Sequence, residues 1–308
     1  MADMAISLKG VALGFGRQEV LRGMDLNVPA GKTYAFLGRN GAGKTTTIRM
    51  LMGLLKPAAG QVRVGGLDPA CDAMTIRRTV GYLAEDQQMW GWMKVREIMR
   101  FLAPFYPTWN WKLAQELLEK FALPTEMKIK HLSKGQNVRL GLLLALAHEP
   151  RLVILDDPAL GLDPIMRKEF LRDVVTHLQG KEGGVTVFFS SHLLYEVEPV
   201  ADMVGILDGG RIVCEAETET LREEVRQIMV EAGAWEEAAA KLRGTTAVLD
   251  VKRDGPRVAA VVRDVAQARA ALDGAIVEER ALNLDEIFEA FVAGQATLGG
   301  RPMAQAAR

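Results

Sequence analysis

Apolar positions in this chain fall mostly in short runs set off by glycine, proline and charged residues. Residues 6–28 alternate apolar and polar side chains, with Gly10, Gly14, Gly16 and Gly23 as breaks, and predict an antiparallel meander with Phe15 at its tip. The run YAFL at 34–37 predicts a buried strand, and Ile48-Arg49-Met50-Leu51 predicts the first turn of a helix. Further short strands are expected at 61–64, ahead of Gly65-Gly66, and at 80–83. From 95 to 146 the period turns helical, with breaks at Pro104, Pro107 and Pro124. The runs at 152–155 and 185–189 are apolar at nearly every position, as strands buried on both faces are, and an amphipathic helix at 164–178 separates them. That alternation implies an α/β fold with a parallel-core sheet and right-handed crossovers. A hairpin at 203–213, around Asp208-Gly209-Gly210, closes this part of the chain.

Past the charged stretch 215–226 the pattern changes. A strand at 225–230, a helix at 234–242, strands at 246–252 and 257–263, a helix at 264–273 and a strand at 275–279 give the order βαββαβ, the ferredoxin-like pattern. A last helix is expected at 284–292. The domain reading is therefore a large α/β unit at 1–222, a small α+β accessory domain at 223–293, and a disordered Gly-, Ala- and Gln-rich tail at 294–308.

Composition changes this picture little. The chain has 308 residues, 49% hydrophobic and 25% charged, as a globular protein of more than one domain would have. Its net charge of −1 gives no reason to expect nucleic acid as a partner. Cys71 and Cys214 lie far apart without metal-like spacing, which suits a reducing cytoplasm. The N-terminus shows no signal-peptide pattern, and no apolar run approaches the roughly 18 residues a spanning helix needs. Any membrane-spanning part belongs to another chain.

The chemistry begins with GRNGAGKTT, Gly38 to Thr46, placed between the expected strand and helix. This is the spacing of a phosphate loop. Gly38, Gly41 and Gly43 allow backbone N–H groups to close around a polyphosphate, reinforced by the positive end of the helix. Lys44 would reach the β- and γ-phosphates and the Thr45 hydroxyl would hold Mg²⁺, with Asn40, Ala42 and Thr46 completing the nucleotide-binding set. The strand at 152–155 ends in Asp156-Asp157-Pro158, where a metal carboxylate and a water-orienting carboxylate belong.

With LSKGQ at 132–136, LVILDDP at 152–158, ALGLD at 159–163 and SSH at 190–192, the chain resembles ATP-binding cassette (ABC) ATPases over roughly its first 215 residues. The resemblance implies a P-loop ABC domain with a parallel-core sheet, an antiparallel β-subdomain and a helical subdomain. It implies ATP and Mg²⁺ as cofactors, and a head-to-tail homodimer, or a pseudo-symmetric heterodimer, of ATPase subunits. In that dimer Ser133, Gly135 and Gln136 of the signature sequence would meet the γ-phosphate of ATP held by the partner. His192 would be the switch histidine, Asp163 would lie in the loop linking the two sites, and Phe15 would stack on adenine. His131, His148 and His177 are assigned structural roles.

Three positions depart from the family pattern. Asp157 stands where a catalytic glutamate is usual, Glu85 where a glutamine contacts Mg²⁺ and water, and Lys134 in place of the second signature glycine. The shorter Asp157 suggests slower hydrolysis. The resemblance points to the branch with a separately encoded exporter-type membrane subunit, and so to a cytoplasmic protein held peripherally at the inner face of the membrane by that permease. Trp90, Trp92, Trp109 and Trp111, with Phe101, Phe105 and Tyr106, either form a groove for the permease or fill the core of the helical subdomain. Two other functions stand beside this one: a regulatory ATP-binding module with little turnover, and a soluble ABC ATPase of translation or repair.

Overall fold

The computed structural model describes residues 3–158, 172, 175, 178, 184–191 and 198–298. The helix expected at 164–178 and the residues Asp163, His177 and His192 fall wholly or largely outside these. Two compact units divide the chain: Met1–His192 with Pro199–Ile212, and Leu193–Glu198 with Val213–Arg308.

In the first unit, β1 (Met4–Phe15) and β2 (Gln18–Pro29) form the expected hairpin, and β1 also pairs with β4 (Ala59–Val64) in an antiparallel sheet of order β2-β1-β4. Gly10 and Gly23 lie inside the strands rather than between them. The β1–β2 register shifts between Leu8 and Val11, the interval that holds Gly10, where the left-handed residue accommodates a bulge.

The larger sheet is built from β3 (Thr33–Gly38), β5 (Val80–Leu83), β6 (Leu152–Asp156), β7 (Thr186–Ser191), β8 (Met203–Asp208) and β9 (Arg211–Glu217), in the order β5-β6-β7-β3-β8-β9. The pairs β5–β6, β6–β7, β7–β3 and β3–β8 are parallel. Every residue of β3, β6 and β7 is buried, which explains their unbroken apolar runs. Tyr34, Phe36 and Phe188 stack between β3 and β7, with ring centroids 5.6 and 5.3 Å apart.

The helices of this unit are α1 (Lys44–Leu51), α2 (Ala73–Thr79), α3 (Val95–Leu102), α4 (Trp111–Lys120) and α5 (Lys134–Leu146). Helix α1 begins at Lys44, one turn earlier than the apolar pattern alone indicates, because the phosphate loop runs directly into it. Helix α5 is polar and half-exposed at its start, then buried from Leu140 to Leu146.

The second unit holds α6 (Thr218–Glu224), β10 (Arg226–Glu231), α7 (Trp235–Leu242), β11 (Val248–Asp254), β12 (Arg257–Val262), α8 (Val265–Leu272), β13 (Glu278–Ala281) and α9 (Leu284–Leu298). Its sheet has the order β11-β12-β10-β13 and every pairing is antiparallel, which is the split βαβ topology of ferredoxin-like folds. Trp235, Ala239 and Leu242 of α7 pack with Ala268 and Leu272 of α8 over Ile228, Val230, Val258 and Val262. The last strand lies at 278–281, after the apolar stretch expected to form it. Ala275 and Ile276 pack on the core as loop, while exposed Glu278–Ala281 pairs along β10. Helix α9 continues past Gly294, where a tail was expected, and residues 299–308 lie outside the described set.

Candidate active site

β3 delivers the phosphate loop at its C-terminal end. Gly41 has φ 80° with open space where a Cβ would project, and Gly43 has φ 113° with Leu21 Cδ2 only 2.9 Å from a Cβ position. Both conformations are ones that side chains resist. No side chain caps the N-terminus of α1, so its first N–H groups remain available to an anion. Lys44 is buried against its own loop, with Nζ donating to the carbonyls of Gly38 at 2.7 Å and Arg39 at 3.2 Å.

Neighbouring strands bring the carboxylates. β6 ends in Asp156 between β5 and β7, one strand removed from β3, and the segment after β5 carries Glu85. The Thr45 hydroxyl lies 3.3 Å from Asp156 Oδ1 and 3.3 Å from Glu85 Oε2. These groups surround a cavity of about 310 Å³ lined by Asn40, Gly41, Gly43, Lys44, Thr45, Thr46, Glu85, Asp156 and Asp157, together with Val20 and Ser190. Burial holds the Asp156 carboxyl above its usual range; Glu85 and Asp157 act in the same direction, and hydrogen bonds from Ser190 and Thr45 act against them. Burial lowers the Lys44 ammonium from its ordinary value, opposed by the charges of Asp157, Asp156 and Glu85.

The fold implies ATP with Mg²⁺, and the residues fit that cofactor. Three carboxylates and a hydroxyl are an all-oxygen donor set of the kind Mg²⁺ prefers. Asp156 Oδ2 is buried without a hydrogen-bond partner among the described residues, a state that a cation or its bound water relieves.

Other expected site residues lie elsewhere. Gly38 ends β3 and supplies the carbonyl that holds Lys44, while Ala42 lines an adjoining cleft with Arg39 and Asp208. Phe15 is 53% exposed at the end of β1 and does not line the phosphate cavity. Ser133 and Gln136 form a capping box on α5: Ser133 Oγ accepts the Gln136 N–H at 3.2 Å and Gln136 Oε1 accepts the Ser133 N–H at 2.9 Å. Gly135 sits half-buried in the same turn. None of these three lines the cavity. His131 is exposed, and His148 is buried in a 4.3 Å stack on Tyr106, where burial pushes its pKa down to about 4. Ser190 also lines the cavity; in the sequence it is only the first residue of the SSH motif at 190–192, with no role of its own assigned.

A phosphate loop feeding a helix, with acidic side chains at the ends of adjacent parallel strands, defines a P-loop nucleoside triphosphatase. The ABC transporter family model matches residues 21–160. Over 217 residues the chain is 38% identical to the bacitracin transport ATP-binding protein BcrA of Bacillus licheniformis, covering 70% of each chain. Over 264 residues it is 34% identical to the daunorubicin resistance ATP-binding protein DrrA3 of Streptomyces coeruleorubidus, covering 82% of each. A solved ATP-binding subunit of an ABC transporter superposes with a TM-score of 0.63 at 28% identity, over 71% of this chain and 92% of that one. The chain belongs to the ATP-binding subunits of ABC transporters, and is an ATP-binding, ATP-hydrolysing protein. A dimeric cassette in a post-hydrolysis state bound to ADP and Pi shares the fold, with a TM-score of 0.62 at 22% identity over 69% of this chain and 98% of that one.

Proposed function

We propose that two copies of this subunit close head to tail around two Mg²⁺-ATP and drive a separate exporter-type permease at the inner face of the membrane. The observation that carries this reading is the convergence of the phosphate loop, Lys44, Thr45, Glu85, Asp156 and Asp157 on one cavity that lacks the signature residues. Ser133 and Lys134 are exposed at the start of α5, available to a second copy. In this reading the loop N–H groups and Lys44 grip the phosphates, and Thr45, Asp156 and Glu85 hold the cation. Mg²⁺ supplies charge neutralisation across the phosphate oxygens. Asp157 orients the attacking water, and Ser133, Gly135, Gln136 and Lys134 of the partner approach the γ-phosphate. His192 is assigned the γ-phosphate contact and Phe15 the adenine. Lys134 adds a cation to a site that Glu85 has made more acidic.

The same segment that supplies Glu85 also borders a second groove of about 470 Å³, lined by Gln87, Met89, Leu102, Tyr106, Gly141 and Leu144 among others. A nucleotide-dependent shift of Glu85 would therefore be felt at that groove. Trp90, Trp92, Phe101, Phe105 and Trp111 are exposed, whereas Tyr106 and Trp109 are half-buried, so the aromatic set divides between surface and core. We assign the exposed members to the permease contact. Support comes from relatives named for bacitracin transport and daunorubicin resistance.

The intact chain, purified from detergent-solubilised membranes of its own cells, is expected to bring down a multi-spanning membrane protein. Trp92→Ala should lose that protein while keeping ATP-driven dimerisation; retention of the membrane protein by Trp92→Ala would count against the assigned surface. Asp157→Glu is expected to raise the single-turnover hydrolysis rate by restoring the missing methylene, partly offset because a longer side chain must occupy a backbone with φ 44°. An unchanged or lowered rate would show that Asp157 does not slow the reaction.

A further inference from the structure

Ser190 is fully buried on β7, in register with Asp156 of β6 on one side and Phe36 of β3 on the other. Its Oγ donates to Asp156 Oδ1 at 2.8 Å and accepts the backbone N–H of Asp157 at 3.0 Å. A serine hydroxyl has one proton and two lone pairs, so these bonds use its donor and one acceptor. The Thr45 hydroxyl lies 3.3 Å from the same Oδ1, so that oxygen is approached from two sides, while Oδ2 has no hydrogen-bond partner among the described residues. The carboxylate is thus asymmetric, with one oxygen pinned by protein and the other left for a cation or its water.

The second bond acts on Asp157. Its φ of 44° lies in the left-handed region, uncommon for residues other than glycine although aspartate enters it more readily than most. The Ser190 hydroxyl holds the N–H of that very residue, at the point where the chain leaves β6.

We propose that Ser190 is a positioning residue for ATP hydrolysis, whose hydroxyl ties the Asp156 carboxylate to the Asp157 backbone so that cation and attacking water keep a fixed relation. This rests on the roles of Asp156 and Asp157 proposed above. A small misplacement in positioned catalysis costs rate steeply, on the order of 100-fold for about 1 Å. A serine that only filled space would be replaceable by alanine without that cost.

The test compares wild type, Ser190→Ala and Ser190→Thr as full-length chains. In EDTA, binding of a fluorescent ATP analogue should be unchanged in Ser190→Ala, because the phosphate loop is intact. With Mg²⁺, kcat is expected to fall about 10- to 100-fold with little change in KM for ATP, and half-maximal activity should need about tenfold more Mg²⁺. In the nucleotide-free protein the Asp157 amide should exchange its hydrogen faster than in wild type. Ser190→Thr keeps the hydroxyl and should recover most of the rate. Wild-type kcat and Mg²⁺ dependence in Ser190→Ala would overturn the inference, as would a Ser190→Thr enzyme as impaired as Ser190→Ala. A wild-type chain with no Mg²⁺-dependent ATP hydrolysis would overturn the functional reading and this inference together, whereas hydrolysis indifferent to Ser190→Ala overturns the inference alone.

Discussion

Lys44→Ala is expected to lower ATP turnover by at least about 100-fold and to weaken Mg²⁺-ATP binding, because it removes a cation that the site needs twice over. In the proposed reaction Lys44 would stabilise charge on the transferring group. Before any nucleotide arrives, it faces Glu85, Asp156 and Asp157, all three of which line the same cavity. Without Lys44 these carboxylates would repel a polyphosphate through a site whose burial strengthens such interactions. The backbone should tolerate the change, since Lys44 holds only the carbonyls of Gly38 and Arg39 and the loop glycines set the path. Rate assays and calorimetric titration with Mg²⁺-ATP check both effects, and an active Lys44→Ala enzyme would remove the phosphate-loop assignment.

Asp157→Asn is expected to lower kcat by about 100- to 1,000-fold while preserving, or slightly tightening, Mg²⁺-ATP binding. Asparagine matches aspartate in shape and is among the few residues at ease with positive φ, so the turn at φ 44° should survive. The backbone N–H bond to Ser190 also remains. What disappears is the charge proposed to orient water and accept its proton, together with one source of repulsion for ATP. Asp157→Ala loses the same charge but also strains a left-handed backbone, so the asparagine variant isolates the chemistry. Single-turnover rates with bound nucleotide measured in parallel distinguish this outcome from a general loss of folding.

How legible these features were depended on whether they are local. The phosphate loop is written in consecutive residues, and β3, β6 and β7 are buried on both faces and so announce themselves as apolar runs. The βαββαβ order of the second unit was likewise legible, but β13 was not placed correctly. Edge strands need little burial, so exposed Glu278–Ala281 carries no apolar signal, and the neighbouring Ala275 and Ile276 gave a false one. Ser133 and Gln136 carry two roles in the same four residues, since the signature is also a Ser-x-x-Gln capping box and their side chains cap α5. Ser190 makes contacts that are not legible from the SSH motif that contains it. Its bond to Asp156 joins residues 34 positions apart and depends on the parallel register of β6 and β7.

The aromatic residues illustrate the same limit. Trp92 and Trp109 are equally hydrophobic in sequence, but Trp92 is 65% exposed whereas Trp109 is half-buried with its ring 6.1 Å from Tyr106. Nothing in local periodicity separates a side chain that fills a small helical core from one that remains free for a partner.

In the proposed dimer one chain supplies only half of each catalytic site. Sedimentation velocity of Asp157→Asn, which should bind Mg²⁺-ATP without consuming it, tests this directly. The expected result is a monomer without nucleotide or with Mg²⁺-ADP and a dimer with saturating Mg²⁺-ATP, abolished by adding Lys44→Ala. A chain that binds Mg²⁺-ATP at saturation and remains monomeric would contradict it.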